Sequence, residues 1–313
     1  MCSLEHKQRK SKASHWKNAS HSSECFTKFA GTGKAWFINM KIGRHEFETD
    51  KHTYIMGILN VTPDSFSDGG LYLNKELILK RAEEMIREGC DIIDVGGEST
   101  RPGYEKVHEE VEIERVTPVI EILTRYFETP VSLDTYKVSV AKAGIEAGVS
   151  MINDIWGLTD DSEMANLIAA AKIACCVVHN RKKINELNHD LISAMKKEFA
   201  EAIKAAKNAG INEDKIIFDP GIGFGKTYHQ NLYVLNHLSE FKTFGYPCLL
   251  GASRKSVIGI TLDSPVNERL EGTIITTVMA VLSGYAFVRV HDILANKRSI
   301  KMAEAILAAK ELS

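Results

Sequence analysis

From residue 54 onward, short runs of apolar and β-branched residues alternate with longer amphipathic stretches, and the alternation repeats eight times. The runs fall at 54–59, 91–95, 131–133, 150–153, 173–178, 215–218, 248–250 and 286–290. Each is apolar almost throughout, the pattern of a parallel strand covered on both faces. The stretches between them carry helical periodicity. Residues 74–88 show it plainly, with Asn74 as a cap, Leu77, Ile78, Met85 and Ile86 sharing a face, and Gly89 as the stop. Residues 190–209 repeat the pattern through Leu191, Met195, Phe199, Ala202 and Ala206, ending at Gly210. Eight such units favour an α/β chain closed into a (β/α)8 TIM barrel over an open doubly wound sheet, which the same periodicity also allows, and 313 residues suffice for a barrel.

Residues 1–39 are of another kind: rich in Lys, Ser and His, without apolar periodicity and without the apolar centre of a secretion signal. They read as a disordered or non-native N-terminal extension, with a basic organellar targeting peptide as the alternative. Folding is expected to begin at Met40, which opens a strand-like pair, residues 40–47 and then 54 onward, giving a short N-terminal β-hairpin at the start of a barrel domain spanning 40–313.

Charge and cysteine usage narrow the function classes. A formal net charge of −2 gives no broad excess of either sign, which argues against nucleic acid or an anionic membrane as partner. Any anion must be held by a local site. The six cysteines form no CxxC pair and several lie inside apolar runs, as buried reduced thiols of a cytoplasmic protein do. The apolar stretch 278–290 is broken by Ser283, Gly284 and Arg289 and is too short to span a bilayer.

Polar residues recur in phase with the strands. Asn60, Asp94, Asp134, Asn153, His179, Asp219, Ser253 and His291 all fall at or just beyond the C-terminal end of an expected strand. Taken singly, each is a loop cap or a satisfied core group. Eight in phase mark the rim on which a barrel builds its chemistry.

The loops after these strands carry the motifs. Residues 60–70 read NVTPDSFSDGG, a long polar loop with one aromatic that suits a lid, and 96–103 read GGESTRPG, offering Thr100 and Arg101 as donors. Residues 219–227 read DPGIGFGKT; the spacing is not that of a Walker loop despite the Gly-Lys-Thr ending. A carboxylate at Asp219 would face the barrel mouth and accept paired hydrogen bonds from a flat heterocycle with adjacent N–H donors. GASRKS at 251–256 and RVHD at 289–292 gather Arg254, Lys255, Arg289 and His291 where barrels bind phosphate. Asn60 is suitably placed to help hold Mg2+ beside such a phosphate.

Taken together, NVTPDSFSDGG, DVGGESTRPG, SLDTYK, NDI, DPGIGFGKT, SRKS and RVHD resemble dihydropteroate synthase, in that family's order and over nearly all of residues 40–312. The resemblance implies an enzyme that condenses a dihydropterin diphosphate with 4-aminobenzoate in folate biosynthesis, by departure of diphosphate before attack, and that is a target of sulfonamides. It further implies that Asp134, Asn153, Asp219 and Lys255 bind the pterin ring. Asn60, Thr100, Arg101, Arg289 and His291 would hold the diphosphate with Mg2+. Phe66, Thr100, Pro102, Phe224, Lys255 and Ser256 would form the aminobenzoate pocket, Phe66 and Asp68 with Thr100, Arg101 and Pro102 would close over the site, and Asp134, Asp219, Lys255, Phe66 and Asp68 would be the catalytic residues. A cytoplasmic homodimer is implied, consistent with apolar residues on more than one face of 270–282.

The loop after the fifth strand departs from the family pattern, reading VVHNRKK at 177–183 where a Met-His-Met type run is usual. Pterin-stacking contacts from that loop therefore do not carry over. Two other readings share many of these residues. A pterin-binding methyltetrahydrofolate methyltransferase needs the ring contacts but no diphosphate cluster, and a non-catalytic pterin-binding homologue needs no turnover.

Overall fold

The computed structural model describes residues 39–61, 74–98, 106–159, 161–180 and 190–309. A two-stranded antiparallel hairpin, β1 (Asn39–Ile42) and β2 (His45–Glu48), opens the described chain with Met40 opposite Phe47. Eight parallel strands follow: β3 (Tyr54–Asn60), β4 (Ile92–Gly96), β5 (Val131–Asp134), β6 (Met151–Asp154), β7 (Ala174–Val178), β8 (Ile216–Asp219), β9 (Leu249–Leu250) and β10 (Phe287–Val290). Their order is β8-β7-β6-β5-β4-β3-β10-β9, and a parallel bridge between Phe218 and Cys248 closes the ring. The helices are α1 (Lys75–Arg87), α2 (Glu109–Tyr126), α3 (Val138–Glu146), α4 (Ser162–Ala171), α5 (Leu191–Asn208), α6 (Tyr228–Asn236), α7 (Ser256–Leu262), α8 (Leu270–Leu282) and α9 (Ile293–Ala308). The eight strand–helix units expected from the periodicity are present in the expected order.

Boundaries shift by a residue or two. Lys215 ends a 3-10 turn rather than opening a strand, and β9 keeps only Leu249 and Leu250 because Cys248 pairs only through the closing bridge. In α1 the buried face is Ile78, Ala82 and Met85, whereas Leu77, expected on that face, is exposed. One residue is 100° of helix, enough to turn a side chain from core to solvent. The Asn74 cap forms as expected, its side-chain oxygen accepting from Glu76 and Leu77 backbone N–H groups at 3.0 and 3.2 Å.

Two cores result. The larger lies between the helices and the outward side chains of the strands, such as Ile55, Ile93, Leu133, Cys175 and Val288. The smaller fills the lower barrel, where Met56, Ile92, Met151, Cys176, Ile217 and Phe287 meet the hairpin residues Met40, Ile42 and Phe47. The hairpin thus plugs the bottom of the barrel, with the Phe47 ring edge-on to Tyr54 at 4.9 Å and to Phe287 at 5.5 Å. Burying each such side chain stabilises by roughly 2 kcal/mol. With the bottom closed by apolar groups, the polar strand tips have only the opposite mouth to occupy. Cys90, Cys175, Cys176 and Cys248 are buried free thiols, as expected.

Candidate active site

Inward-facing positions along each strand alternate with outward ones, so a polar residue two steps beyond an apolar floor residue emerges at the mouth. Arg289 follows Phe287 in this way on β10, Asp94 follows Ile92 on β4, Asn153 follows Met151 on β6, and Asp219 follows Ile217 on β8. The flanking Val288 and Val290 point into the outer core. Above this layer lies a cavity of about 350 Å3, lined among others by Asn60, Asp134, Phe224, Lys255, Arg289 and His291. Its volume falls in the range of small-molecule sites.

Arg289 organises the acidic side. Its Nε donates to Asp94 Oδ2 and its Nη2 to Asp134 Oδ2, each at 2.6 Å. Asp94 Oδ2 also accepts from Asn153 Nδ2 at 3.3 Å, which fixes the amide with its oxygen turned away from Asp94. The other oxygens, Asp94 Oδ1, Asp134 Oδ1 and Asn153 Oδ1, are buried and have no hydrogen-bond donor among the described residues. Burial pushes the Asp134 carboxyl up to about 7, against the pull of Arg289. Burial would lower the Arg289 guanidinium, but Asp134 and Asp94 outweigh it and raise it.

Across the mouth, Asp219 Oδ1 accepts from the backbone N–H of Gly221 at 2.7 Å, and burial raises its carboxyl above the usual range. A Cβ on Gly251 would stand 3.0 Å from Asp219 Oδ2, so the bare backbone of Gly251 keeps that oxygen accessible. Lys255 donates to the Ile222 carbonyl and lies over the Phe224 ring, 4.2 Å from its centre. Burial lowers its ammonium to about 8, with Asp219 opposing the fall. Three carboxyl groups and two cations therefore share one buried layer in which acids outnumber bases.

On the rim, Ser253 Oγ accepts from the His291 backbone N–H at 3.2 Å and meets His291 Nδ1 at 3.0 Å, aligning the ring beside the cavity. Ser256 opens α7 at the cavity wall. Asn60 is exposed at the tip of β3 and lines the same cavity. Among the described residues no group of three or more His, Cys, Asp or Glu could hold a metal ion.

The structure thus brings together Asn60, Asp134, Asn153, Asp219, Phe224, Lys255, Ser256, Arg289 and His291. Phe66, Asp68, Thr100, Arg101 and Pro102 lie outside the described residues. The basic residues expected after the last two strands, Arg254, Lys255, Arg289 and His291, all line this cavity, and both arginines are engaged by acids. Arg254 is held by Asp292 through Nε and Nη2 at 3.0 and 2.5 Å, and Arg289 faces the ring of acids.

Other residues gain roles that the sequence did not assign. Asp94 was visible as a rim residue but not as the group that holds both Arg289 and Asn153. Lys137 of SLDTYK donates to Glu98 at 2.5 Å, Glu112 at 2.6 Å and the Val107 carbonyl at 2.7 Å, tying β4's end to the start of α2. Its signal was a lysine three residues after a strand-tip aspartate, which spacing alone does not distinguish from a surface charge.

Comparison with known proteins agrees with this geometry. The family described as pterin binding enzyme matches residues 56–291. The dihydropteroate synthase of Clostridium beijerinckii is 53% identical over 271 residues, 86% of this chain and 99% of the relative. The structure of dihydropteroate synthase from Clostridium difficile in the presence of pteroic acid superposes with a TM-score of 0.80 at 47% identity, covering 84% of this chain and 100% of that one. That of the Yersinia pestis dihydropteroate synthase with a sulfonamide drug does so with a TM-score of 0.80 at 36% identity, covering 86% and 99%.

Proposed function

Because this chain belongs to the pterin-binding enzymes, among their dihydropteroate synthases, we propose that its barrel mouth joins (7,8-dihydropterin-6-yl)methyl diphosphate to 4-aminobenzoate and releases diphosphate, a transferase step of folate biosynthesis. The observation that carries the reading is the trio of buried acceptors on Asp94, Asp134 and Asn153. A buried acceptor left without a donor costs about 1–3 kcal/mol. Asp134 lines the cavity and Asp94 and Asn153 lie in the layer beneath it, so the site favours a ligand that brings N–H groups, as the amino-pyrimidinone edge of a dihydropterin does.

In this reading Asp134, Asn153 and Asp219 accept from the ring, and Lys255 donates to its carbonyl or a ring nitrogen. Asn60, Arg289 and His291 receive the diphosphate, with Thr100 and Arg101 assigned to it on the resemblance. Phe224 and Ser256 flank the aminobenzoate, whose remaining neighbours, Phe66, Thr100 and Pro102, rest on the resemblance too. Phe66 and Asp68 close the first loop over the reacting carbon.

The acidic balance suits the chemistry. When the carbon–oxygen bond to diphosphate breaks, the bonding pair leaves with the oxygen and the methylene becomes positive, conjugated with the ring. Fixed carboxylates beside that charge stabilise the transition state without reorganising. The neutral aniline nitrogen then attacks, the carbon–nitrogen bond forms, and the nitrogen gives up one proton to solvent. No strong base is needed because an aniline is unprotonated near neutral pH.

Mg2+ belongs to the same reading. Asn60 lines the cavity, and one protein oxygen beside substrate phosphates is a usual way to hold this ion. When bound, it neutralises the departing diphosphate. A homodimer belongs to it as well: α8 buries Thr273, Thr276 and Thr277 while exposing Ile275 and Leu282, and its neighbour α9 exposes Met302 and Ile306. Apolar residues turned outward on adjacent helices suit a subunit contact. Four buried thiols fit a reducing compartment such as the cytoplasm. Among the described residues, no helix is long and apolar enough to cross a membrane.

The test is direct. Purified protein with both substrates and Mg2+ is expected to form dihydropteroate, followed by chromatography, and to lose the activity when the metal is chelated. No product at any metal concentration would refute the reading.

A further inference from the structure

Lys226 closes the GFGK portion of the loop after β8, and neither the sequence motifs nor the ring-binding layer gives it a task. It is nevertheless 7% exposed, an unusual place for an ammonium. Its Nζ shares three hydrogens among four acceptors within reach: the carbonyls of Gly221 at 2.9 Å, Phe224 at 3.1 Å and His179 at 3.2 Å, and His179 Nδ1 at 2.9 Å. A buried cation surrounded by backbone carbonyls plays the part that a structural metal plays elsewhere: it draws separate chain segments onto one centre.

The His179 contact settles a tautomer. An ammonium only donates, so Nδ1 is the acceptor and the ring hydrogen sits on Nε2. From there it is donated to Glu198 Oε2 at 2.8 Å on α5. Glu198, His179 and Lys226 thus form one line from α5, across the end of β7, into the loop after β8. The two loops also touch directly, since a Cβ on Gly221 would stand 1.9 Å from the His179 carbonyl oxygen.

The held loop carries working parts on its other side. Ile222 supplies the carbonyl that receives Lys255, Phe224 supplies the ring under its ammonium, and Asn231 on α6 fixes the Gly223 N–H at 2.7 Å. Asp94, Asp134, Asn153 and Arg289 sit on β4, β5, β6 and β10 and do not depend on this loop.

We propose that Lys226 is a positioning residue for the aminobenzoate side of the mouth: by gathering the carbonyls of His179, Gly221 and Phe224 it sets the Phe224 ring and the seat of Lys255. The assignment rests on the functional reading above and adds to it the separation of two half-sites. Loss of the ammonium removes the one donor that three inward carbonyls share, so the loop relaxes outward and takes Phe224 with it. The barrel strands stay where they are.

The experiment compares the full-length protein with Lys226→Met in steady state, varying each substrate in turn, alongside thermal melting and direct binding of a fluorescent pterin. The unsubstituted protein is assayed first, and failure to form dihydropteroate there sinks the functional reading rather than this one. With activity in hand, Lys226→Met is expected to raise KM for 4-aminobenzoate at least tenfold, while pterin affinity, which loses the Lys255 seat but keeps Asp94, Asp134 and Asn153, falls by a clearly smaller factor. An unchanged KM for 4-aminobenzoate overturns the proposal, as does an equal loss in both half-sites. If Lys226→Met does not fold, His179→Gln removes one acceptor and spares the carbonyl. The same selective rise of about threefold supports the role, and no selectivity overturns it.

Discussion

Arg289 Nε and Asp94 Oδ2 lie 2.6 Å apart, with Asp94 wholly buried and the arginine reaching it from β10, two strands away around the barrel. The same oxygen of Asp94 receives Asn153, so one carboxylate fixes the orientation of two ring-facing groups. Asp94→Asn is expected to weaken pterin binding by about 2 kcal/mol, roughly thirtyfold, the worth of a hydrogen bond to a charged partner. Titration with a fluorescent pterin reads this directly. Affinity within threefold of the parent would mean that Asp134 alone orients Arg289.

Removing a negative charge from β8 and a positive one from β10 separates the two parts of the first substrate. Asp219→Asn is expected to weaken binding of the bare pterin ring, because its N–H donors lose their charged acceptor. Arg289→Ala is expected to weaken binding of inorganic pyrophosphate measured calorimetrically with Mg2+. Unchanged pyrophosphate binding in Arg289→Ala would confine this arginine to the ring of acids that it contacts.

The shifted carboxyl and ammonium make the ligand-free protein sensitive to pH. Burial raises Asp134 to about 7, so between its ordinary value of 3.8 and about 7 the folded state holds a proton that the unfolded chain has released. Stability from this group is full below 3.8 and declines as pH rises toward 7. Lys255 is lowered to about 8 from 10.5, so the unfolded chain binds the extra proton in that window and stability climbs as pH rises through it. Thermal melting is expected to show a shallow minimum between about 7 and 8. In Asp134→Asn the decline between 4 and 7 should flatten, and an identical profile would show that the carboxyl is ionised throughout.

Aminobenzoate mimics test the other half-site. A sulfonamide is expected to raise the apparent KM for 4-aminobenzoate without lowering kcat, as competition requires. Phe224→Ala should weaken both ligands together, by roughly tenfold, the effect of losing a stacked aromatic wall. Non-competitive inhibition would place the drug elsewhere.

The bottom of the barrel gives a control for all of these. Phe47→Ala empties a fully packed position and is expected to cost about 3–4 kcal/mol of stability. Because the hairpin lies at the end away from the mouth, KM for both substrates should stay within twofold at a temperature where the variant is folded. A change in either KM would mean that the plug supports the site through the barrel wall.

The eight strand–helix units were legible because burial on both faces leaves a chemical trace in consecutive residues, and the helices because 3.6-residue periodicity does the same. Position at a strand tip is local as well, which is why Asp134, Asn153, Asp219, Arg289 and His291 could be picked out before any packing was known. Register was less legible: the exposed Leu77 and the two-residue β9 depend on neighbours that no single segment encodes.

The kind of barrel and the inventory of polar groups at its mouth follow from local patterning along the chain. Which of those groups meet follows from packing. Arg254 goes to Asp292, Arg289 to Asp94 and Asp134, and Lys226 to three carbonyls. Partners in a closed ring come from segments as much as 195 residues apart, and the Coulomb and hydrogen-bond energies that choose among them depend on distance in space.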